Sequence, residues 1–324
     1  MNDSNLADSK ARIRVGVSAC LLGENVRYDG GHKLDRFLRD TLGRYVEYVP
    51  VCPEVGCGLP IPREAMRLVG DANSPRLVTV RTGEDHTERM LSWAGRRVQE
   101  LESEGLCGFI FKSGSPSSGM ERVKVYSEAG MPSKIGVGLF ARTFMEHFPL
   151  LPVEEEGRLH DPKLRENFIE RLFTLKRWRD LLARGRERHD LVGFHTRNKL
   201  LLMAHSTKHL REMGRIVAQA AGLEVTEAFD RYQRLLMEAL SLKATAKKNA
   251  NVLQHAMGYF KKVLSPDEKQ ELLEVIEQYR LELTPLIVPI TLVNHYVRKY
   301  EEPYLTQQTY LHPHPLELQL RNHV

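Results

Sequence analysis

Two architectures in series are predicted: an α/β amino-terminal half with a largely parallel sheet, then an all-α carboxy-terminal half. Three observations predict them. Up to residue 150, short β-branched runs alternate with helix-compatible stretches, the pattern of a parallel sheet with crossover helices. Past residue 163 the strand signals vanish and apolar residues recur at helical spacing. Between the halves, Phe148–Lys163 (FPLLPVEEEGRLHDPK) has prolines near both ends and an acidic triplet, and it reads as a linker. The expected division is 1–150, a linker at 151–163, and 164–324, consistent with two domains for 324 residues.

The elements follow in order. Arg12–Ala19 (RIRVGVSA) reads as a buried strand ending at Cys20; the preceding polar start is expected to be disordered. Asn25–Gly31 (NVRYDGG) is a glycine-rich turn and His32–Leu42 a helix. Tyr48–Val51 is a strand that runs into Cys52-Pro-Glu-Val-Gly-Cys57. Leu77–Thr82, Gly108–Lys112 and Glu121–Tyr126 are further strands; Thr87–Glu104 and Gly138–His147 are helices. In the second half, helices are expected over Leu164–Leu182, Leu191–Ala221, Val225–Leu240, Ala244–Leu264 and Pro266–Leu283. Pro266-Asp267-Glu268 has the proline and acids of a first helical turn. Pro285 and Pro289 interrupt what comes next, and Tyr310–Pro315 is irregular.

Composition narrows the class. Hydrophobic residues at 42% and charged residues at 27% are ordinary for a globular chain with a sizeable core. The polar start does not read as a signal peptide, so none is expected, and no run of about 18 apolar residues exists to span a bilayer. Four cysteines are too few for a disulfide framework, so a reducing cytoplasm is the expected setting, where clustered cysteines bind metal or do chemistry. Charge is divided unevenly. Residues 1–160 hold 21 Lys and Arg against 22 acids, residues 161–324 hold 26 against 20. The excess gathers in Arg171–Lys199, interleaved with Phe173, Trp178 and Phe194, so this run is a candidate nucleic-acid surface as well as a solvated helical face.

Chemistry is expected at the carboxyl ends of the strands, where open α/β sheets bind ligands. Three loops start there, after Ala19, Val51 and Lys112. A shared edge would bring together Cys20, Cys52, Cys57 and the serines 113, 115, 117 and 118, with Glu54 as a proton-transfer group between two thiols. Cys107 precedes its strand and is expected at the opposite edge as a structural cysteine. His205 and His209 stand at i, i+4, a spacing metal ligands can use, but no third ligand accompanies them.

Three stretches, SACLLGENVRYDGGHK (Ser18–Lys33), PVCPEVGCGLPIPRE (Pro50–Glu64) and FKSGSPSSGMERVKVY (Phe111–Tyr126), together resemble the thiouracil desulfidase family over roughly Arg12–Phe148. The remainder resembles a helical domain of unknown function often fused to it, the arrangement of bacterial tRNA 4-thiouridine desulfidases. The resemblance implies a 4Fe–4S cluster on three cysteines with one iron left open. Cys20 and Cys52 match the first two ligand positions. The third usually comes from a Ser-Pro-Ser-Cys-Gly loop, which here reads Ser-Pro-Ser-Ser-Gly with Ser118 in the cysteine's place. Cys57 stands where many relatives carry glycine, and is expected to complete the set. The implied reaction is hydrolytic removal of sulfur from a thiolated uracil nucleotide or tRNA. In that reaction Glu54 activates water, Ser115 and Ser117 donate hydrogen bonds, and Arg27 with the Asn25–Gly31 turn receives a phosphate. Arg177, Arg184 and Arg186 are the expected RNA contacts, and no protein partner is evident. Two other readings stay open: a cluster-free hydrolase or transferase with Cys52 as nucleophile, and an RNA-binding protein whose α/β half is structural.

Overall fold

The computed structural model describes residues 12–127, 129–219 and 222–323. The start expected to be disordered, 1–11, lies outside them, as does the end of the helix expected to reach Ala221. The chain forms two units, Met1–His160 and Asp161–Val324.

The first unit contains strands β1 (Ile13–Ser18), β2 (Val46–Val51), β3 (Met66–Val69), β4 (Arg76–Thr79), β5 (Gly108–Phe111), β6 (Val123–Tyr126), β7 (Pro132–Gly136) and β8 (Val153–Glu155), with helices α1 (Pro53–Gly56), α2 (Thr87–Glu102) and α3 (Leu139–His147). One sheet is wholly parallel, in the order β2-β1-β5-β8. The expected strands after Leu77 and Glu121 belong instead to a second, mixed sheet, β4-β3-β6-β7, so the strands of this half do not share one edge. The stretch 151–163 is not a linker throughout. Val153–Glu155 pairs with β5 as an edge strand, because its glutamates find hydrogen-bond partners in the first unit, and α4 already begins at Pro162.

Packing explains the parallel sheet. Val15 and Val17 of β1 are fully buried, as are Phe109, Ile110 and Phe111 of β5. Gly16 lets β5 approach: a Cβ there would lie 2.2 Å from the Phe109 ring. Phe140 and Phe144 of α3 close the aromatic cluster, with Phe144 centroids 4.7 Å from Phe109 and 5.6 Å from Phe111. α2 buries Met90, Ala94, Val98 and Leu101, one face of a helix at 3.6-residue spacing. The helix expected at His32–Leu42 is reduced to two short irregular turns, Phe37–Thr41 and Leu42–Arg44.

The second unit is helical: α4 (Pro162–Leu182), α5 (Arg188–His205), α6 (Thr207–Gln219), α7 (Val225–Ser241), α8 (Ala246–Met257), α9 (Pro266–Arg280), α10 (Ile287–Lys299) and the single turn α11 (Pro303–Thr306). Ser206, extended at φ −159°, ψ 110°, breaks the long helix expected from Leu191 into α5 and α6. Ser265 and Glu268 form a reciprocal capping box at the start of α9. Pro289 does not interrupt α10; it lies in the first turn, where no intrahelical N–H is needed. No helix among the described residues is long and apolar enough to cross a membrane.

Charges are buried inside this unit. Glu170 (4% exposed) accepts from His205 Nε2 at 2.5 Å and from Arg321 Nη2 at 3.4 Å. Burial pushes the Glu170 carboxyl up, but the charges of His205 and Arg321 outweigh it and hold it at about 2. A depressed carboxylate contributes stability that is present above its unfolded value and lost as pH falls toward the folded one. Breaking a buried pair typically costs about 3–5 kcal/mol, so Glu170→Gln is expected to destabilise by that order at pH 7. The difference from wild type should shrink steadily in melts taken from pH 5 to pH 2. A gap that stays constant over that range would show that Glu170 carries no such charge.

Candidate active site

The parallel register sets the site. Ser18 pairs with Val51, and Phe111 with Glu155, so β1, β2, β5 and β8 end along one edge. Ser18 Oγ accepts from Lys112 N at 2.9 Å and ties two of those ends together. Beyond them opens a cavity of about 380 Å³, lined among others by Cys20, Cys52, Glu54, Lys112, Ser115 and Ser118. Cys107 is buried before β5, at the far edge, as expected of it.

Of the three expected thiols, two reach the cavity. Cys20 is the second residue after β1, and Cys52 is the residue before α1. Burial pushes the Cys20 thiol up to about 11, although Lys112 pulls it down. Burial, then the Glu54 charge, pushes Cys52 up to about 12. Both are therefore thiols until a cation compensates the thiolate, as a bound metal does. Cys57 departs from the expectation. It is separated from Cys52 by the four-residue helical turn Pro53–Gly56. Its Sγ donates to Glu54 O at 3.2 Å and packs with Leu59, Leu68, Met90 and Val125, not on the cavity wall. The hydroxyl-bearing Ser118 is on the wall instead. The donor chemistry there fits a thiophilic metal group at two positions, Cys20 and Cys52. No cluster of three or more His, Cys, Asp or Glu is preassembled for a metal ion among the described residues.

Glu54 is held from several sides. Ser117 Oγ donates to its Oε1 at 2.5 Å, Cys52 Sγ faces Oε2 at 3.4 Å, and an Arg63 Nη2 lies 3.8 Å from Oε2. Ser117 and Ser115 hydroxyls are 3.0 Å apart. Ser117 is fully buried and engaged with Glu54, so of the two expected hydroxyls only Ser115 faces the cavity. The loop leans on the start of α3, whose Leu139 and Ala141 amides donate to the Pro116 and Ser117 carbonyls. A Cβ at Gly138 would lie 2.5 Å from the Ser117 carbonyl, so glycine is required for that approach.

Arg27 lines the cavity but pairs with Asp29 at 3.4 Å. The Gly30 and Gly31 amides of its turn bond to Arg27 O and Asp29 Oδ1, leaving them unavailable to a phosphate. Sequence reasoning missed Arg63 and Lys112 as cavity cations. Arg63 stood inside a quoted motif, but its reach to Val26 O (3.0 Å) is a tertiary contact with no local signal.

The basic run of the second unit is revised. Arg177 is half-buried and its guanidinium is committed within the unit, donating to Pro313 O at 2.7 Å and Thr174 Oγ1 at 2.8 Å, so it is a poor RNA contact; desolvation lowers it to about 10. Trp178 stacks on Tyr232 and meets Phe194 edge-on, so these interleaved aromatics are core. Arg184 and Arg186 are exposed, the latter 3.3 Å from Asp230. His205 is not on a shared helical face with His209; its two ring nitrogens meet Leu242 O and Glu170.

Comparison with known proteins follows these two units. Residues 15–156 match the family described as 2-thiouracil desulfurase, and residues 199–315 match a protein family of unknown function, DUF1722. An uncharacterized protein of Escherichia coli (strain K12), YbgA, is 31% identical over 153 residues, 47% of this chain and 90% of the relative. An uncharacterized protein of Bacillus subtilis (strain 168), YbbK, is 30% identical over 108 residues, 32% of this chain and 71% of the relative. A solved 4Fe–4S-dependent thiouracil desulfidase, TudS, is 31% identical, covering 46% of this chain and 95% of its own, with a TM-score of 0.39.

Proposed function

We propose that this chain, which belongs to the 2-thiouracil desulfurase family, hydrolyses the C–S bond of 4-thiouridine in tRNA, giving uridine and sulfide. The observation that carries the reading is the convergence of Cys20, Cys52 and Glu54 on one cavity at the strand ends. A 4Fe–4S cluster held by Cys20 and Cys52, with Cys57 as the third thiolate once its side chain leaves the apolar cluster for the wall, would supply an open iron, a Lewis acid for the thiocarbonyl sulfur. The protein's own groups do the rest. Glu54 Oε2 faces the Cys52 thiol; once Cys52 is a thiolate, that oxygen is free to take a proton from water. Ser117 fixes the other carboxylate oxygen, and Ser115 offers a hydroxyl to negative charge developing on the base. Water contributes oxygen to the ring carbon and both protons to the departing sulfide, so no oxidant or reductant is consumed. Arg27 is the candidate for the nucleotide phosphate.

The test is anaerobic reconstitution with iron and sulfide, iron analysis, and assay of sulfide release from thiouridine and from thiolated tRNA. Stoichiometric cluster with no desulfuration of either would sink the reading.

For the helical unit we propose RNA affinity, supported by its charge excess and by exposed Arg184 and Arg186. A base in folded tRNA must leave its stack at a cost of a few kcal/mol, which backbone contacts can offset. In the full chain, replacing Arg184 and Arg186 by Ala is expected to weaken tRNA binding and to lower the salt slope by about one per lost phosphate contact. Iron content should not change. An unaltered slope would move the RNA surface to other exposed cations, such as Lys261 and Lys262.

A further inference from the structure

We propose that the end of β8 is a positioning device for the reaction: Glu155 and Glu156 clamp the two ends of the loop Lys112–Glu121 that carries the serines. The proposal rests on the desulfidase reading. Neither glutamate is on the cavity wall, so neither touches a substrate there.

The geometry starts from the register. Phe111 pairs with Glu155, so the chain leaves β5 for the loop beside these glutamates. Glu155 is the last residue of β8 and Glu156 the first of the turn after it, and each carboxylate meets a different end of the loop. At the entry, Glu156 Oε2 accepts from Ser113 N at 2.7 Å, and Oε1 from Ser113 Oγ at 2.9 Å and Lys112 Nζ at 2.5 Å. At the exit, Glu155 Oε1 accepts from Met120 N at 2.7 Å and Glu121 N at 3.4 Å. Glu155 is 6% exposed. A carboxylate buried so far is costly unless its hydrogen bonds are met, and those it makes are to loop backbone.

Lys112 belongs to the clamp although it lines the cavity. An ammonium has three protons, and Lys112 Nζ has three acceptors: Glu156 Oε1, Ser113 O at 2.9 Å and Ser113 Oγ at 3.1 Å. None is left for a substrate. Between the two clamped ends lie Ser115, Ser117 and Ser118, and through Ser117 the orientation of Glu54. Displacement of reacting groups by about 1 Å can cost on the order of 10²-fold in rate.

The experiment uses the full-length, cluster-loaded protein with Glu155→Ala, Glu156→Ala, Glu155→Gln and Glu156→Gln. The Ala variants are expected to lose about 10²-fold in kcat on 4-thiouridine. KM should stay within about twofold in Glu155→Ala, which leaves every group on the wall paired as before, and iron per chain should equal wild type in both. Glu155→Gln should recover most of the rate, because its amide oxygen still accepts from Met120 N. Glu156→Gln should recover less, because it cannot balance Lys112. Hydrogen exchange of the 112–121 segment should speed up about tenfold in the Ala variants, in step with local opening. Wild-type kcat with wild-type protection of that segment overturns the clamp. So does a rate loss matched by iron loss or by faster exchange throughout the unit, which would make the glutamates merely structural. Should an Ala variant fail to fold, the Gln pair and the exchange measurement still decide. If wild type desulfurates nothing, the desulfidase reading falls, and the exchange data alone report on the clamp.

Discussion

Cys20→Ala, Cys52→Ala and Cys57→Ala are each expected to abolish iron loading after anaerobic reconstitution, while Cys107→Ala and Ser118→Ala load as wild type. For Cys20 and Cys52 the expectation follows from their place on the cavity wall. For Cys57 it follows from magnitudes. Its thiol packs in an apolar cluster, and removing a side chain of that size from such contacts costs about 1–2 kcal/mol. A metal bound by four protein ligands gains roughly 10–16 kcal/mol, so each thiolate is worth a few kcal/mol. That gain outweighs the packing loss. Ser118 is already on the wall, yet its hydroxyl must shed a proton at a far higher cost than a thiol, and thiolates are the usual cluster ligands. The decisive comparison is iron stoichiometry in Cys57→Ala against Ser118→Ala. Full loading of the first and loss in the second would give Ser118 the third position and leave Cys57 a core residue.

The strands that built the site were legible because parallel strands buried on both faces read as unbroken apolar runs. Val15, Val17 and Phe109–Phe111 are such residues, and the order of loops after them placed Cys20, Cys52 and Ser115 correctly. What failed to show was structure held by distant partners. Pro132–Gly136 is mostly exposed and offers no apolar alternation, yet it pairs with β6. Glu154–Glu156 looked like a solvated linker, because an acid bonded to loop amides more than 30 residues away has no local signature. The same limit applies to charge. A basic run reads alike whether its arginines face solvent or, like Arg177, carbonyls of a remote tail segment. The core packing of Cys57 has a different origin: residues 52–57 read as a loop, whereas Pro53–Gly56 form a helical turn and the thiol after it joins the apolar cluster.

In a fully loaded protein, Glu54→Gln is expected to lower kcat by about 10²–10⁴-fold, the usual contribution of a positioned acid–base group. The substitution is nearly isosteric. Its amide oxygen can still accept from Ser117 Oγ, so the loop should stay in place, and Arg63 keeps its bond to Val26 O. What is lost is the oxygen that takes a proton from water. Ser117→Ala provides the internal comparison. It removes the hydrogen bond at 2.5 Å but leaves the carboxylate, so its effect should be smaller than that of Glu54→Gln and should be accompanied by intact iron content. Both substitutions together should cost little more than Glu54→Gln alone, since residues acting as one unit are not additive. Turnover at the wild-type rate in a fully loaded Glu54→Gln protein would remove Glu54 from proton transfer. Ser115, whose hydroxyl lies on the cavity wall 3.0 Å from that of Ser117, would then be the residue to test next.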